Sequence, residues 1–299
     1  MNTKTAIITG ATSGLGRQCA HALLDSDPSW HLVLPVRDTG RGAEAVERLG
    51  GPQRCTVMPM DLASLASVAA FVENVRDAGL PPLHAIVCNA GLQVVSGTER
   101  TKDGVEMTFG VNHLGHFALV LGLRDSLAHP ARIVVVSSGT HDPSKRTGMP
   151  HPQYTSAADL AHPGAEQSAN DGRRRYTTSK LCNLLFTYEL DRRLGDGVTV
   201  NAFDPGLMPG SGLARDYPPL QKLAWRFVFP ALRVLPGVRS TRTSGRYLAS
   251  LVNDTRFDGV SGQYFDGPRS IKSSADSYDL DKARDLWETS EELLTHAAK

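Results

Sequence analysis

The 299-residue chain is 40% hydrophobic and 21% charged, which is ordinary for a globular protein, and its net charge of +1 gives no overall field to attract nucleic acid or a membrane. It contains no apolar stretch near the roughly 18 residues that a membrane span requires. The four cysteines include no CxxC pair, so we expect free thiols and no metal site. Because only "MNTKT" precedes the first apolar run, with no secretory signal, we expect a cytoplasmic protein.

Short apolar runs alternate with longer helical patterns along the chain. The apolar runs are KTAIITG (4–10), HLVLPV (31–36), CTVMPM (55–60), HAIVCNAG (84–91), RIVVVSS (132–138) and VTVNAFDPG (198–206). Helical spacing occupies residues 15–25, 41–49, 64–78, 104–124 and 178–194. Continuous apolar runs are typical of strands buried on both faces of a sheet. The alternation therefore predicts one α/β domain over residues 1–299: a Rossmann fold with a doubly wound parallel sheet of about seven strands and helices on both faces.

The first strand runs into a glycine-rich turn, TGATSGLG, and then into a helical pattern. A strand, a turn of this kind and a helix start form the arrangement that holds a pyrophosphate against backbone N–H groups. The spacing GxxxGxG differs from the commoner GxGxxG, and an ordinary tight turn is the alternative. The position at the first strand and first helix favours a nucleotide site. The predicted contacts are Gly10, Thr12, Ser13, Gly14, Leu15 and Gly16.

The second apolar run ends in PVRDTGR, where an NAD site usually has a carboxylate for the ribose hydroxyls. Arg37 takes that place and Arg41 follows one turn later. Guanidinium groups suit a phosphate dianion through charge-assisted, bidentate bonds. We therefore predict NADP(H) rather than NAD(H). The alternative is that both arginines are simply solvated and that Asp38 serves NAD.

Two regions interrupt the alternation. Residues 141–175 are polar and resemble an inserted loop, and residues 207–238 are apolar but irregular, with Trp225, Phe227 and Phe229. Both follow strand ends, where an α/β sheet has its ligand crevice. We predict that 207–238 forms an apolar lid over a bulky hydrophobic substrate; packing on the domain body or a subunit contact is the alternative.

Tyr176 and Lys180 are four residues apart, so a helix would place them on one face. An isolated tyrosine titrates near pKa ~10, too high for acid–base work at neutral pH. A neighbouring ammonium stabilises the phenolate and lowers that pKa. The pair therefore suits proton exchange with a substrate oxygen.

Taken in order, these motifs resemble the short-chain dehydrogenases/reductases along nearly the whole chain. The resemblance rests on TGATSGLG, Asp61–Leu62, CNAG (88–91), VNHLGHF with Asn112, VVVSS ending at Ser138, YTTSK (176–180) and DPG (204–206). Within that family, RYTTSKLCNLLFTYELDRRL and DLDKARDLWETSEELL are most similar to the retinol dehydrogenase and protochlorophyllide reductase branch.

The resemblance implies an NADP-dependent oxidoreductase acting on a carbonyl or alcohol. It implies that Tyr176 exchanges the proton, that Lys180 tunes it and holds the nicotinamide ribose, and that Ser138, rather than Ser137, hydrogen-bonds the substrate oxygen. Asn112 would keep Lys180 in a water-linked proton path. The remaining cofactor contacts implied are Asp61, Leu62, Asn89, Ala90, Gly91, Pro205 and Gly206.

Two positions depart from the pattern of relatives. Light-dependent protochlorophyllide reductases carry a cysteine just after the Pro-Gly, and this chain has Leu207, which favours an ordinary carbonyl reductase or alcohol dehydrogenase. Where relatives often place a threonine against the nicotinamide amide, this chain has Gly210 beside Ser211.

Other interpretations stay open. One is a protochlorophyllide-type reductase, and another is a nicotinamide-sensing protein without turnover. His113 and His116 lack a third ligand at matching spacing, so we expect packing or surface roles for them. Segments 104–124 and 178–194 pair subunits in many relatives, so a homodimer is possible unless the insertion blocks it.

Overall fold

A computed structural model describes residues 3–95, 97–164, 168–208 and 238–297. Its strands are β1 (Lys4–Ile8), β2 (Trp30–Val36), β3 (Cys55–Pro59), β4 (Leu83–Cys88), β5 (Leu127–Val136), β6 (Val198–Asp204), β7 (Gln263–Asp266) and β8 (Arg269–Ile271). Its helices are α1 (Gly14–Ser26), α2 (Thr39–Leu49), α3 (Leu65–Asp77), α4 (Met107–Phe109), α5 (Gly115–Leu123), α6 (Ala157–Ala161), α7 (Ala169–Arg193), α8 (Thr241–Asn253) and α9 (Leu280–Ala297).

The strands form one sheet in the order β3-β2-β1-β4-β5-β6-β7-β8. The first seven strands pair in parallel, and β8 is antiparallel to β7. The strand order reverses between β1 and β4, which is where an open α/β sheet has its crevice at the carboxyl ends of its strands. The predicted α/β class and parallel sheet are confirmed; β7 and β8 were not among the apolar runs.

The sheet is covered on both faces by apolar side chains. Ile7, Val33, Ile86 and Ile133 join one core cluster, with α3, α5 and α7. The alternate residues of the same strands, such as Ile8, Leu32 and Val87, join a second cluster with α1 and α8. Side chains of successive strand residues point to opposite faces, so a strand buried on both faces must be continuously apolar.

The long helix α7 is the element that brings the Tyr176 and Lys180 positions to the sheet. It begins at Ala169 with a capping box, in which the Ser168 hydroxyl accepts from the Asp171 N–H and the Asp171 carboxylate accepts from the Ser168 N–H. The inserted loop was predicted over residues 141–175, and its predicted C-terminal boundary is wrong because the helix begins at Ala169. Residues 169–175 are polar, but they are helical.

The helical pattern predicted over 104–124 is interrupted. Its middle, Gly110–Leu114, is a π-helical turn between α4 and α5, and it carries Asn112. Single π-helical turns inside α-helices are frequently found at functional sites. None of the described helices is both long and apolar enough to cross a membrane.

Candidate active site

The glycine turn after β1 has the backbone that only glycine adopts without strain. Gly10 and Gly14 have φ values of +69° and +55°. A Cβ at Gly16 would lie 2.6 Å from the Gly10 carbonyl oxygen, so this contact between turn and helix excludes any side chain. A Cβ at Gly14 would meet no atom within 4 Å among the described residues. That open space lies at the start of α1, whose N-cap residue Ser13 makes no side-chain cap.

The end of β4 is tied to the end of β1 through Thr9. The Thr9 hydroxyl accepts from the N–H groups of Asn89 and Ala90, each at 2.9 Å, and the Asn89 amide donates to the Thr9 carbonyl at 2.7 Å. These bonds hold residues 89–91 beside the glycine turn. The predicted ribose-side residues Asn89, Ala90 and Gly91 thus lie next to the predicted pyrophosphate turn.

Arg37 and Arg41 lie at the end of β2 and in the first turn of α2, and both are exposed. The neighbouring Asp38 has a structural task. Its Oδ1 accepts from the Arg41 N–H at 3.1 Å and caps α2, while its Oδ2 lies 3.7 Å from Arg41 Nε. Within the described ranges Arg37 makes no hydrogen bond or ion pair.

Asp61 and Leu62 follow β3 at the same edge of the sheet. The Asp61 carboxylate accepts from the Ala63 N–H at 3.1 Å and lies 3.5 Å from Lys102 Nζ. Leu62 is buried, and its carbonyl approaches Gly115, where a Cβ would come within 2.6 Å. This contact fixes the start of α5 against the loop after β3.

Asn112 is fully buried on the π-helical turn. Its side chain accepts from the Leu92 N–H at 2.8 Å and donates to the Leu92 carbonyl at 3.0 Å and to the Ser179 hydroxyl at 2.9 Å. Ser179 in turn donates to the Tyr176 carbonyl at 2.7 Å. Asn112 therefore links the loop after β4 to the helix turn that carries Tyr176.

Tyr176 and Lys180 lie on one face of α7, as their spacing predicts, and both are buried. Lys180 Nζ lies 5.6 Å from the centre of the Tyr176 ring and donates to the Val136 carbonyl at 3.0 Å. A Cβ at Gly91 would lie 3.7 Å from Lys180 Nζ and 3.3 Å from Asn112 Oδ1. The tyrosine, the lysine, Asn112 and the turn after β4 thus meet at one point.

The two serines after β5 differ in what they contact. The Ser137 hydroxyl is buried and donates to the Lys180 carbonyl at 2.8 Å. Ser138 is partly exposed, and its Oγ accepts from the Thr140 N–H at 3.3 Å. A hydroxyl that accepts one bond keeps its own hydrogen for donation. The contact of Ser138, rather than Ser137, with the substrate stays a prediction.

Asp204, the last residue of β6, is a buried carboxylate that the sequence reasoning missed as a site residue. It accepts from the Gly206 N–H at 2.8 Å and from the Tyr264 hydroxyl at 2.9 Å. Burial lowers the pKa of Lys180 to about 8, and the negative charge of Asp204 opposes that shift. The predicted cofactor residues Pro205 and Gly206 follow it; the Pro205 carbonyl accepts from Ser244, and Gly206 has φ +75°.

His113 and His116 are both core residues. His113 lies among the rings of Phe109, Phe117 and Phe186 and hydrogen-bonds to Ser290 at 2.9 Å. Burial lowers the pKa of His113 to about 3 and that of His116 to about 4. The described residues hold no group of three or more metal-ligating side chains.

Most of the predicted lid lies outside the described residues. Gly210, Ser211, Trp225, Phe227, Phe229 and Leu232 all fall in 209–237. At its two ends, Leu207 and Val238 form a parallel β-bridge, and the Arg239 N–H donates to the Leu207 carbonyl at 2.9 Å. The Leu207 side chain is 42% exposed.

The sequence model of the short chain dehydrogenases matches residues 4–156. The chain belongs to the short-chain dehydrogenase family. The resemblance seen in the sequence is thereby confirmed, and the matched range contains the glycine turn, residues 89–91, Asn112 and Ser138.

Among named members of the short-chain dehydrogenases, two plant proteins illustrate the likeness. Chloroplastic protochlorophyllide reductase B of Hordeum vulgare is 35% identical over an alignment of 320 positions that covers 98% of this chain and 79% of that protein. Protochlorophyllide reductase of Avena sativa is 35% identical, covering 96% of this chain and 98% of that protein.

Solved structures share the fold. An uncharacterised protein from Mycobacterium paratuberculosis matches with a TM-score of 0.71 and 28% identity, covering 98% of this chain and 94% of its own. The angucycline C-6 ketoreductase LanV with bound NADP matches with a TM-score of 0.64 and 21% identity, covering 88% of this chain and 93% of the ketoreductase chain. The second likeness is one of fold alone.

Proposed function

We propose that this short-chain dehydrogenase is an NADP(H)-dependent oxidoreductase that transfers a hydride between nicotinamide and a carbonyl or alcohol of a hydrophobic substrate. One observation carries the proposal: the buried Lys180 ammonium lies 5.6 Å from the Tyr176 ring, beside Asn112 and the glycine at 91. A tyrosine next to a cation at a strand-end crevice is an arrangement suited to acid–base work on a substrate oxygen.

The residues around the glycine turn fit a dinucleotide. Three features favour an anion at the start of α1: no described residue fills the space at Gly14, Ser13 makes no side-chain cap, and the first turn of α1 has no acidic residue. Among the described residues, the Lys180 ammonium donates one hydrogen bond, to the Val136 carbonyl. Its other two hydrogens are available to ribose hydroxyls.

The end of β2 supports NADP(H) over NAD(H). The Asp38 carboxylate caps α2, so it is less available to accept hydrogen bonds from ribose hydroxyls. Exposed Arg37 and Arg41 offer two guanidinium groups to a 2′-phosphate. The ketoreductase structure that carries NADP has the same fold.

The bound nicotinamide would supply or receive the hydride. On this chain, Tyr176 would give its proton to the substrate oxygen during reduction and recover it during oxidation. Ser138 would donate a hydrogen bond to that oxygen as negative charge develops. Lys180 would stabilise the phenolate, and Asn112 would hold the turn at Leu92 in place for a water-linked proton path.

A protochlorophyllide-type double-bond reductase is a second candidate, because named relatives at 35% identity carry that name. Leu207 stands where the light-dependent enzymes would need their cysteine, and this argues against a light-driven reaction. Turnover that requires illumination would favour this candidate over the main proposal.

The C-terminal helix α9 packs on the two segments that we considered as subunit contacts, 104–124 and 178–194. Trp287 of α9 contacts the Phe117 ring at 5.0 Å and the Phe186 ring at 6.2 Å, and Ser290 bonds His113. These contacts are internal to one copy of the chain and leave the possible homodimer a prediction. The cytoplasmic location remains a prediction.

The test is NADPH consumption by the native protein with a panel of hydrophobic ketones and aldehydes, run beside Tyr176→Phe. General acid–base groups typically contribute ~10²–10⁴-fold in rate, so the variant should lose that much while still binding NADPH. The matched control is Tyr188→Phe, which removes a buried hydroxyl of the same helix away from Lys180. Equal turnover by Tyr176→Phe and native protein would contradict the proposal. Tight NADPH binding without turnover on any substrate would favour a nicotinamide sensor.

A further inference from the structure

A three-residue turn, Gly139–His141, follows Ser138 directly at the end of β5. Its last residue, His141, was expected to begin a polar inserted loop. The side chain is instead completely buried, with 0% of its surface exposed. None of the proposed chemistry uses this histidine, so its burial next to Ser138 needs another explanation.

Both ring nitrogens of His141 have backbone partners. Nδ1 lies 2.6 Å from the Ser138 carbonyl oxygen, and Nε2 accepts from the Ser274 N–H at 3.1 Å. A carbonyl oxygen only accepts and an amide N–H only donates, so a single arrangement satisfies both bonds. Nδ1 carries the hydrogen and Nε2 is bare. The neutral ring with this tautomer is therefore specified by its two partners.

The surroundings keep the ring in place. The Tyr264 ring packs edge-on against it at 5.1 Å, and the Tyr264 hydroxyl donates to Asp204. A Cβ at Gly139 would lie 3.0 Å from Asp204 Oδ2, so the turn runs against the end of β6. The charged groups that act on His141 are Asp204, Asp142 and Lys145, and burial, the dominant effect, lowers the pKa of His141.

Two hydrogen bonds from His141 converge on the carbonyl oxygen of Ser138. The Ser138 carbonyl accepts from both the main-chain N–H of His141, at 3.1 Å, and its ring. Both carbonyl lone pairs are thus in use, which fixes the peptide plane after Ser138. The Ser138 Oγ accepts from Thr140, within the same turn. The direction of the Ser138 hydroxyl therefore depends on the turn that His141 closes.

We propose that His141 is a positioning residue that orients the Ser138 hydroxyl through the Ser138 carbonyl and ties it to the C-terminal segment at Ser274. This rests on the proposed function in one respect, the contact between Ser138 and the substrate oxygen. The tie spans 133 residues of sequence, so it couples the end of β5 to the segment that leads into α9.

The test compares His141→Asn, His141→Leu and Tyr176→Phe. The asparagine amide nitrogen corresponds to Nδ1 and keeps the bond to Ser138, whereas leucine has similar bulk and loses both bonds. We expect at least a tenfold lower kcat in His141→Leu, an NADPH Kd within twofold of native, and recovery of most of the kcat in His141→Asn. A native kcat in His141→Leu, or a parallel loss of kcat and NADPH binding in both His141 variants, would overturn the proposal.

Two controls distinguish a failure of the proposed function from a failure of the His141 inference. If Tyr176→Phe keeps native turnover, the proposed function fails; if only His141→Leu keeps it, this inference alone fails. Long-range ¹H–¹⁵N NMR of the native protein with ¹⁵N-labelled histidine tests the geometry without a turnover assay and without any variant. A neutral, Nδ1-protonated His141 at pH 7 is expected, and an Nε2-protonated or cationic ring would overturn the assignment.

Discussion

Two sets of cations that we propose as cofactor contacts differ in exposure. Arg37 and Arg41 are on the surface, and the Arg41 side chain is 81% exposed, whereas Lys180 is 4% exposed. A surface guanidinium is available to a ligand phosphate without altering the fold. A buried ammonium is costly to desolvate, and burial lowers the pKa of Lys180 to about 8. We infer that the exposed pair selects the cofactor and the buried lysine serves the chemistry.

The largest expected effect is at Lys180. Lys180→Met should lower kcat/KM by ~10²–10⁴-fold, because Tyr176 loses the neighbouring cation. Because burial lowers the pKa of Lys180, the folded state holds this charge at a cost, and its removal should leave the melting temperature unchanged or higher. Steady-state kinetics and thermal unfolding together check this. The control is Lys282→Met, a lysine near Asp276 at the start of α9, which should leave turnover unaffected. A variant that loses both stability and activity would contradict this separation.

The arginine pair should affect binding. In Arg37→Ala/Arg41→Ala the Kd for NADPH should rise ~10–100-fold, as expected for lost charge-assisted bonds worth ~1.5–3 kcal/mol. The Kd for NADH should change little, since NADH lacks the phosphate. Calorimetric titration of both cofactors measures this, with Arg48→Ala, paired with Glu44 on the same helix, as the control. Equal weakening for NADH and NADPH would mean that the pair does not read the phosphate.

Raising the pH above the folded pKa of Lys180 should lower the activity and raise the stability. Lys180 is charged below its folded pKa of about 8 and loses its proton above it, so kcat/KM should fall by up to tenfold per pH unit above that value. The sign for stability is opposite. The folded pKa is below the unfolded value of 10.5, so the penalty of the buried charge is full below pH ~8 and is released between 8 and 10.5.

Rates and urea midpoints measured from pH 6 to 10 check both signs. The Lys180→Met variant provides the matched reference, because it lacks the titrating group. A native rate that stays flat to pH 10 would show that Lys180 does not limit the reaction.

The smallest expected effect is at Asp38. Asp38→Asn keeps an N-cap side chain of similar quality, so the free energy of unfolding should change by less than about 0.5 kcal/mol. The ratio of NADPH to NADH affinity should change less than threefold. A selective loss of NADH binding would instead support the reading in which Asp38 holds the ribose of NAD.

The parts of the fold that local sequence determines were predictable. Strands β1 to β6 contain the apolar runs, and the three glycines of TGATSGLG identify the turn after β1. The short β7 and β8 were missed because QYFD and RSI carry too little apolar pattern. The polar composition of residues 169–175 predicts a loop and hides the start of α7, although Ser168 and Asp171 have the spacing of a capping box.

The candidate site was predictable where motifs are contiguous and not where partners are distant. Tyr176, Lys180 and Asn112 lie close together in the structure, and their catalytic roles stay predictions. His141 and Asp204 were missed because their roles depend on Ser274 and Tyr264, which lie far along the chain. A histidine three residues after Ser138 and an aspartate just before Pro205 were the available signals, but neither specifies a partner by itself.

The most direct test of the division between exposed and buried cations is the kcat of Arg37→Ala/Arg41→Ala at saturating NADPH. Once the cofactor is bound, the exposed arginines should no longer matter, and the account predicts a kcat within threefold of native. A loss of more than tenfold at saturation would place the exposed pair in the chemistry itself and contradict the account.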